Sequence, residues 1–298
     1  MSLVELFIRI AEAIRNKKGT TELISATNFP AEIESIETGS DGGGTLDLEI
    51  NDCTQLFYSN ARVNEVENIL PYCKNITSAK QMFANSSSIT AIDLSTVTSP
   101  NLTTMHQMFN NCSKLTSIIF GNFNTSNVTT MYGLFYGCKL LSNIDLSCFN
   151  SAKVTDMYGV FGGCSGLTAI DLSNFNTSKV TTMCYMFASC SKLTSLDLSS
   201  FDTSSNKNFM QMFLNCSGLT SLDLSGFTVS QATNMNQMFS GCKALTSLDL
   251  RNWIVPTSAT TSNMFANVPA NCEIKVSTQE VADWISGIRS DFTNIVVG

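Results

Sequence analysis

Phe57, Phe83, Phe109, Phe135, Phe161, Phe187, Phe213, Phe239 and Phe265 stand 26 residues apart, without an insertion. Self-similarity at a fixed period of roughly 20–50 residues is the signature of a solenoid, propeller or array, so this spacing restricts the fold before any single residue is weighed. Three residues after each Phe comes Cys112, Cys138, Cys164, Cys190, Cys216 or Cys242, with Ser86 and Val268 at the ends, where terminal repeats degrade. Further columns are apolar: Leu115 to Leu245 six residues on, Ile92 to Ile274 nine on, Leu94 to Val276 eleven on, and an aromatic series from Phe123 to Trp253 fourteen on.

The Leu-x-x-Leu-x-Leu spacing places its last two apolar residues on one face of a short strand, so one strand per repeat is expected. Thr-Ser pairs such as Thr125-Ser126 and Thr177-Ser178 favour a turn after it, because their hydroxyls bond nearby backbone groups. In the return segment Val128, Met131, Leu134 and Phe135 recur at spacings that match a helical or 3₁₀ turn with its apolar side against the strand. Such a unit cannot bury its own core, and stacking closes it.

The run Met-Phe-x-x-Cys-Ser-x-Leu-Thr-Ser-Leu-Asp-Leu-Ser-x-Phe-x-Thr-Ser, nearly intact at residues 186 to 204, resembles the 26-residue leucine-rich repeats of BspA-like bacterial surface proteins over residues 53 to 276. The resemblance implies an α/β architecture: a curved, right-handed leucine-rich-repeat solenoid of about nine coils, with a role in adhesion or partner binding, usually at a bacterial surface. The expected partner is a protein or glycan on a host or bacterial surface.

The ends differ from the array. Leu3, Leu6, Phe7, Ile10, Ala13 and Ile14 form the apolar stripe of an amphipathic helix that Gly19 can terminate. Residues 1 to 38 resemble a module near the start of prophage tail and minor structural proteins of Gram-positive bacteria. That resemblance implies attachment to a virion or larger assembly; the apolar stripe is open to this, to self-association, or to packing on the first coil. Residues 39 to 44 read as a Gly-rich linker and 45 to 276 as the solenoid with its N-terminal capping strand. In residues 277 to 298, Val281, Trp284, Ile285 and Ile288 have helical spacing and Ile295 to Val297 read as a last apolar strand, the two together sealing the final coil as a C-terminal cap. The N-terminal stretch lacks the basic n-region and small-residue cleavage site of a secretory signal.

Composition narrows the function. A net charge of −7 argues against nucleic acid, whose binding rests on cationic contacts to phosphate. No apolar run reaches the length of a membrane span, so no membrane insertion is expected. One histidine, His106, leaves little material for a metal site or a catalytic triad; no enzyme, metal or cofactor is expected. The eleven cysteines include no Cys-x-x-Cys, and parallel Cβ vectors on stacked rungs suit a disulfide poorly, so free thiols are expected.

Two surfaces are candidates for binding. Asp93, Asp145, Asp171, Asp197, Asp223 and Asp249 recur between the core leucines, broken by Ile119, and are expected as an acidic strip on the concave face. The strip either offers oxygen ligands to cations such as Ca²⁺, or to a basic ligand, or each Asp bonds a neighbouring Ser, Thr or backbone N–H. Six equivalent carboxylates do not make a glycosidase pair, which needs unequal surroundings. The second candidate is the column twenty-three residues after each Phe, where the repeats disagree: His106, Tyr132, Tyr158, Cys184, Met210, Asn236. With Tyr136 and Tyr185 nearby, and Gly133, Gly137, Gly159, Gly162 and Gly163 read as leaving the rings room, His106, Tyr132, Tyr136, Tyr158 and Tyr185 form the expected binding patch. Tyrosine supplies stiff contact area with a polar tip, suited to a sugar or a partner's pocket, against the plainer reading that the rings shield a turn.

Overall fold

A computed structural model describes residues 50–59, 66–67 and 69–298. The helical module at 1 to 38, the linker at 39 to 44 and residues 45 to 49 of the capping strand lie outside the described residues. Parallel bridges join Asp52 to Ser78, Ser78 to Thr104, and so on through Thr130, Asp156, Thr182, Asn208 and Asn234 to Thr260, always 26 residues on. The protein is a repeat solenoid of the β type.

The return segment is not helical. From Ala79 to Asn85 the N–H groups of Gln81, Phe83 and Asn85 donate to the carbonyls of His106, Met108 and Asn110 in the next coil, at 2.7–2.9 Å. The intervening N–H groups of Met82 and Ala84 close turns on Ala79 and Gln81. Left-handed residues, Gln81 (φ 53°) and Asn85 (φ 62°), turn the chain at intervals of four. A helix would commit every N–H to its own segment. Here half of them are spent on the neighbouring coil, so the apolar spacing that imitates a 3₁₀ turn produces stacked turns instead. Among the described residues the helical elements include the 3₁₀ turn Leu70–Tyr72 and α1, Gln279–Ile288.

The expectation of one strand per coil is also corrected. β1 (Ala91–Asp93) pairs with β2 (Ser117–Ile119), and β3 (Ser221–Asp223), β4 (Ser247–Asp249), β5 (Glu273–Val276) and β6 (Ile295–Val297) form a second parallel sheet in that order. The equivalent positions 143–145, 169–171 and 195–197 form no ladder. Ring spacings between one pair of unpaired coils show the difference: Tyr132 and Tyr158 on the bridged side lie 4.5 Å apart, Phe135 and Phe161 in the core 5.7 Å, and Phe149 and Phe175 beyond the strand position 6.5 Å. Strands bond at about 4.7–4.9 Å, so here the bridged side holds its hydrogen bonds while the Leu-x-Leu side opens. The acidic strip lies on this Leu-x-Leu side, across the coil from the bridges.

The interior is a set of columns. The nine framework phenylalanines are buried and stack coil upon coil at 5.2–5.9 Å with interplanar angles of 2–12°. Such aromatic pairs contribute about 0.5–1.5 kcal/mol each beyond burial. The cysteine column is equally regular. Each Sγ donates to the carbonyl of the Phe in the preceding coil, Cys112 to Phe83, Cys138 to Phe109, and onward to Cys242 and Phe213, at 3.0–3.2 Å. Ser86 makes the same bond to Phe57 at 2.7 Å. All eleven cysteines are free, and burial pushes the thiols of Cys112, Cys164 and Cys242 up to about 12.

At the C-terminal end Thr278 caps α1 by accepting from the Val281 N–H, and Val281, Ala282 and Ile285 are buried. The Arg289 guanidinium bonds the Phe265 and Val268 carbonyls and the Asp291 carboxylate, and Phe292 sets its edge on Phe265 at 5.4 Å. β6 adds a rung to the sheet, with Ile295 packed against the core beside α1 and Val296 and Val297 exposed.

The cysteine geometry sets an expected outcome. Cys164→Ala removes a buried hydrogen bond and a sulfur-sized volume and should lower unfolding stability by about 1–2 kcal/mol. Cys164→Ser, which can repeat the Ser86 bond, should cost less in urea denaturation. Column thiols should react with an aromatic disulfide reagent at pH 8 only after unfolding.

Candidate functional site

The variable column emerges on the bridged side of each coil, between a buried Met, or Phe209 in one coil, and a left-handed residue. Its neighbours lie one rung apart, so any planar side chains there must meet face to face. His106 stacks on Tyr132 at 4.8 Å with the planes 17° apart, and Tyr132 on Tyr158 at 4.5 Å and 6°. In the next coil the column holds Cys184, which is buried with its Sγ toward the Asn208 side-chain oxygen at 3.6 Å. The stack continues instead through Tyr185, one residue on, 5.3 Å from Tyr158 and tilted by 43°.

Tyr185 does this at φ 60°, in a column that elsewhere holds Gln, Asn or Gly. A bulky residue with positive φ carries a backbone cost. On either side the same column builds amide ladders: Gln55 to Gln81 to Gln107 at 2.7–2.8 Å, and Gln211 to Gln237 at 2.6 Å. Between them stand Gly133, Gly159 and Tyr185, beside the rings. This gap in a polar ladder is a second sequence signal for the same patch, and reading the tyrosine column alone misses it.

The glycines need a correction. Gly133, Gly137, Gly159 and Gly163 occupy the two left-handed positions of their coils, with φ between 56° and 76°, so the turn itself calls for them, and at Gly159 a Cβ would also sit 3.1 Å from the Tyr136 ring. Gly162 is different. Its φ is ordinary, and a Cβ there would sit 2.8–2.9 Å from two carbons of the Tyr136 ring. Tyr136 therefore lies across Gly162, 37% exposed, outside the stack but beside it.

The patch is electrically quiet. Burial, then the nearby Lys80 charge, lowers the His106 pKa, which keeps the imidazole neutral at neutral pH. Burial, reinforced by the hydroxyls of Tyr132 and Tyr185, pushes the Tyr158 phenol up to about 12, and burial raises Tyr185 as well.

The acidic strip is held by turn chemistry. Each Asp from Asp93 to Asp223 accepts the backbone N–H two residues on at 2.8–2.9 Å, and Asp249 does so from Arg251 at 3.1 Å while pairing with its guanidinium at 2.7 Å. Bonds from Ser95, Ser147, Ser173 and Ser199 hold Asp93, Asp145, Asp171 and Asp197 below the usual carboxylate value. The neighbour-bonding alternative is the one the structure adopts. Among the described residues no group of three or more His, Cys, Asp or Glu side chains converges as a metal site would, and no helix is long and apolar enough to cross a membrane. Ile119, the break in the strip, is 56% exposed and borders a cavity of about 340 Å³ with Leu70, Pro71, Ile92 and Asp93, a feature that column-by-column reading did not locate.

The family model described as Mycoplasma protein of unknown function, DUF285, matches residues 51–170 and 155–278. The chain belongs to this family. The second match begins 104 residues, four repeats, after the first, as a repeat family sliding along its own period should. No curated protein and no solved structure matches the chain. DUF285 membership thus accounts for the framework columns of the solenoid, while the ring stack sits where the repeats differ.

The Tyr158 shift has a measurable consequence. The unfolded chain releases this proton near pH 10 and the folded chain near 12. The stability involved is fully present below pH 10 and is lost as pH rises through 12. Denaturation at increasing alkaline pH should show this fall, and Tyr158→Phe should flatten it.

Proposed function

We propose that this DUF285 array is a non-catalytic binding module that presents the stack of His106, Tyr132, Tyr158 and Tyr185, with Tyr136 beside it, to a protein or glycan partner at a bacterial surface. The observation that carries the reading is the stack itself. A buried core requires rings to pack, but these four are half-buried and lie on the outside of the coil. One of them, Tyr185, stands at the positive φ that the turn imposes on this column in every coil, where Gln, Asn or Gly stands elsewhere.

The geometry also says what kind of contact is offered. The ring faces cover one another, so a partner meets ring rims and hydroxyl tips spaced one rung apart; Tyr136 is the separate ring. Because the stack fixes the side chains in advance, little rotamer freedom remains to be lost on binding, which favours affinity from a small patch. The repeat's resemblance to BspA-like surface proteins supports an adhesive role. The resemblance of residues 1 to 38 to prophage tail proteins supports a related form of the same reading, in which that segment attaches the module to a virion and the repeats recognise a host envelope.

The test is an array of glycans and bacterial or host surface proteins probed with the full chain. Tyr132→Ala combined with Tyr158→Ala should weaken any hit at least about tenfold, the loss expected of an anchor residue. Asp171→Asn combined with Asp197→Asn should leave it unchanged. Retention of binding by a folded tyrosine double variant would move the site off the stack, and a loss in the aspartate variant would move it to the acidic strip.

A further inference from the structure

Among the described residues the last rung of the solenoid, β6, is an edge strand. β6 pairs with β5 in parallel, Ile274 opposite Ile295, Lys275 opposite Val296 and Val276 opposite Val297. The Ile274 N–H donates to the Asn294 carbonyl and the Gly298 N–H to the Val276 carbonyl. The even-numbered residues of this segment thus face β5. By the alternation of a strand, the N–H and C=O groups of Ile295 and Val297 point to the opposite edge, where no strand of the described residues pairs with them.

Edge strands are normally blunted by charge, proline, a bulge or a covering segment. Ile295–Val297 carries no charge and no proline, consists of β-branched residues, and leaves Val296 and Val297 43% and 44% exposed. Trp284, Ile288 and Phe292, all only partly buried, pack about the same end of the core. The bonding groups of this edge are symmetric about Val296.

We propose that β6 pairs antiparallel with β6 of a second copy of this chain, across a two-fold axis through Val296. Ile295 of each copy then exchanges both backbone bonds with Val297 of the other, so all four outward N–H groups are met without a register slip. The same pairing sets Ile295 opposite Val297 on the core-side face, an apolar cross-strand contact of the kind that stabilises sheets. Such an interface is isologous and closes at two copies.

Sedimentation equilibrium of the full chain, run from micromolar to sub-millimolar concentration, tests this. The mass should rise to twice that of the monomer and stop. Val297→Pro deletes an N–H that points only to the open edge, where proline is tolerated, so the variant should keep its melting temperature and stay monomeric over the same range. Val296→Lys, which leaves every backbone bond to β5 in place, should bring two like charges together at the axis and weaken the dimer, with partial recovery at high salt. A monomer at every concentration overturns the proposal, as does a mass that grows past two copies. So does a dimer that both variants leave unchanged, which would place the association elsewhere, such as in residues 1 to 38.

Discussion

The fold depends on the backbone bonds that pass from coil to coil on the Met-Phe side. Each such segment gives alternate N–H groups to its neighbour and keeps the others for its own turns. Neither half is sufficient alone. Without the next coil, Gln81, Phe83 and Asn85 would have unpaired donors, and without the left-handed residues the chain would run on into a helix that offers its neighbour nothing. The phenylalanine stack and the thiol-to-carbonyl bonds are set by the same rung spacing. A cysteine suits its column because it is small, apolar enough to be buried, and still able to donate to a carbonyl of the preceding coil.

The two sides of the coil differ. On the Leu-x-Leu side the sheet breaks into β1–β2 and β3–β6, while the bridged side continues without a gap. The acidic strip lies on the Leu-x-Leu side, each carboxylate occupied with its own turn. The tyrosines lie on the bridged side. Rungs near 4.5–5.3 Å bring rings into contact wherever two aromatic residues follow each other in one column, which turns a sequence coincidence of three or four coils into a rigid patch.

Much of this was legible in the sequence. The period, the buried columns and the grouping of His106 with the tyrosines follow from residues alone, because in a stack each column repeats one environment. The helical reading of Val128, Met131, Leu134 and Phe135 failed because an apolar spacing of three reports which side chains face inward, not where the intervening N–H groups go. The glycines misled for a related reason. Gly133 and Gly163 answer to φ, Gly159 to φ with the ring of Tyr136 close by, and Gly162 to that ring at an ordinary φ.

The sequence by itself determined that the chain stacks, what fills the stack, and where its surface is free to vary, since burial in a repeating environment leaves a residue-type pattern that needs no coordinates. The tertiary structure alone decided the turn conformation, the break in the Leu-x-Leu ladder, the entry of Tyr185 into the ring stack from a neighbouring column, and the open edge of β6. Each of these depends on a distance or a hydrogen-bond partner supplied by another coil, and such a partner is not written in the segment that uses it.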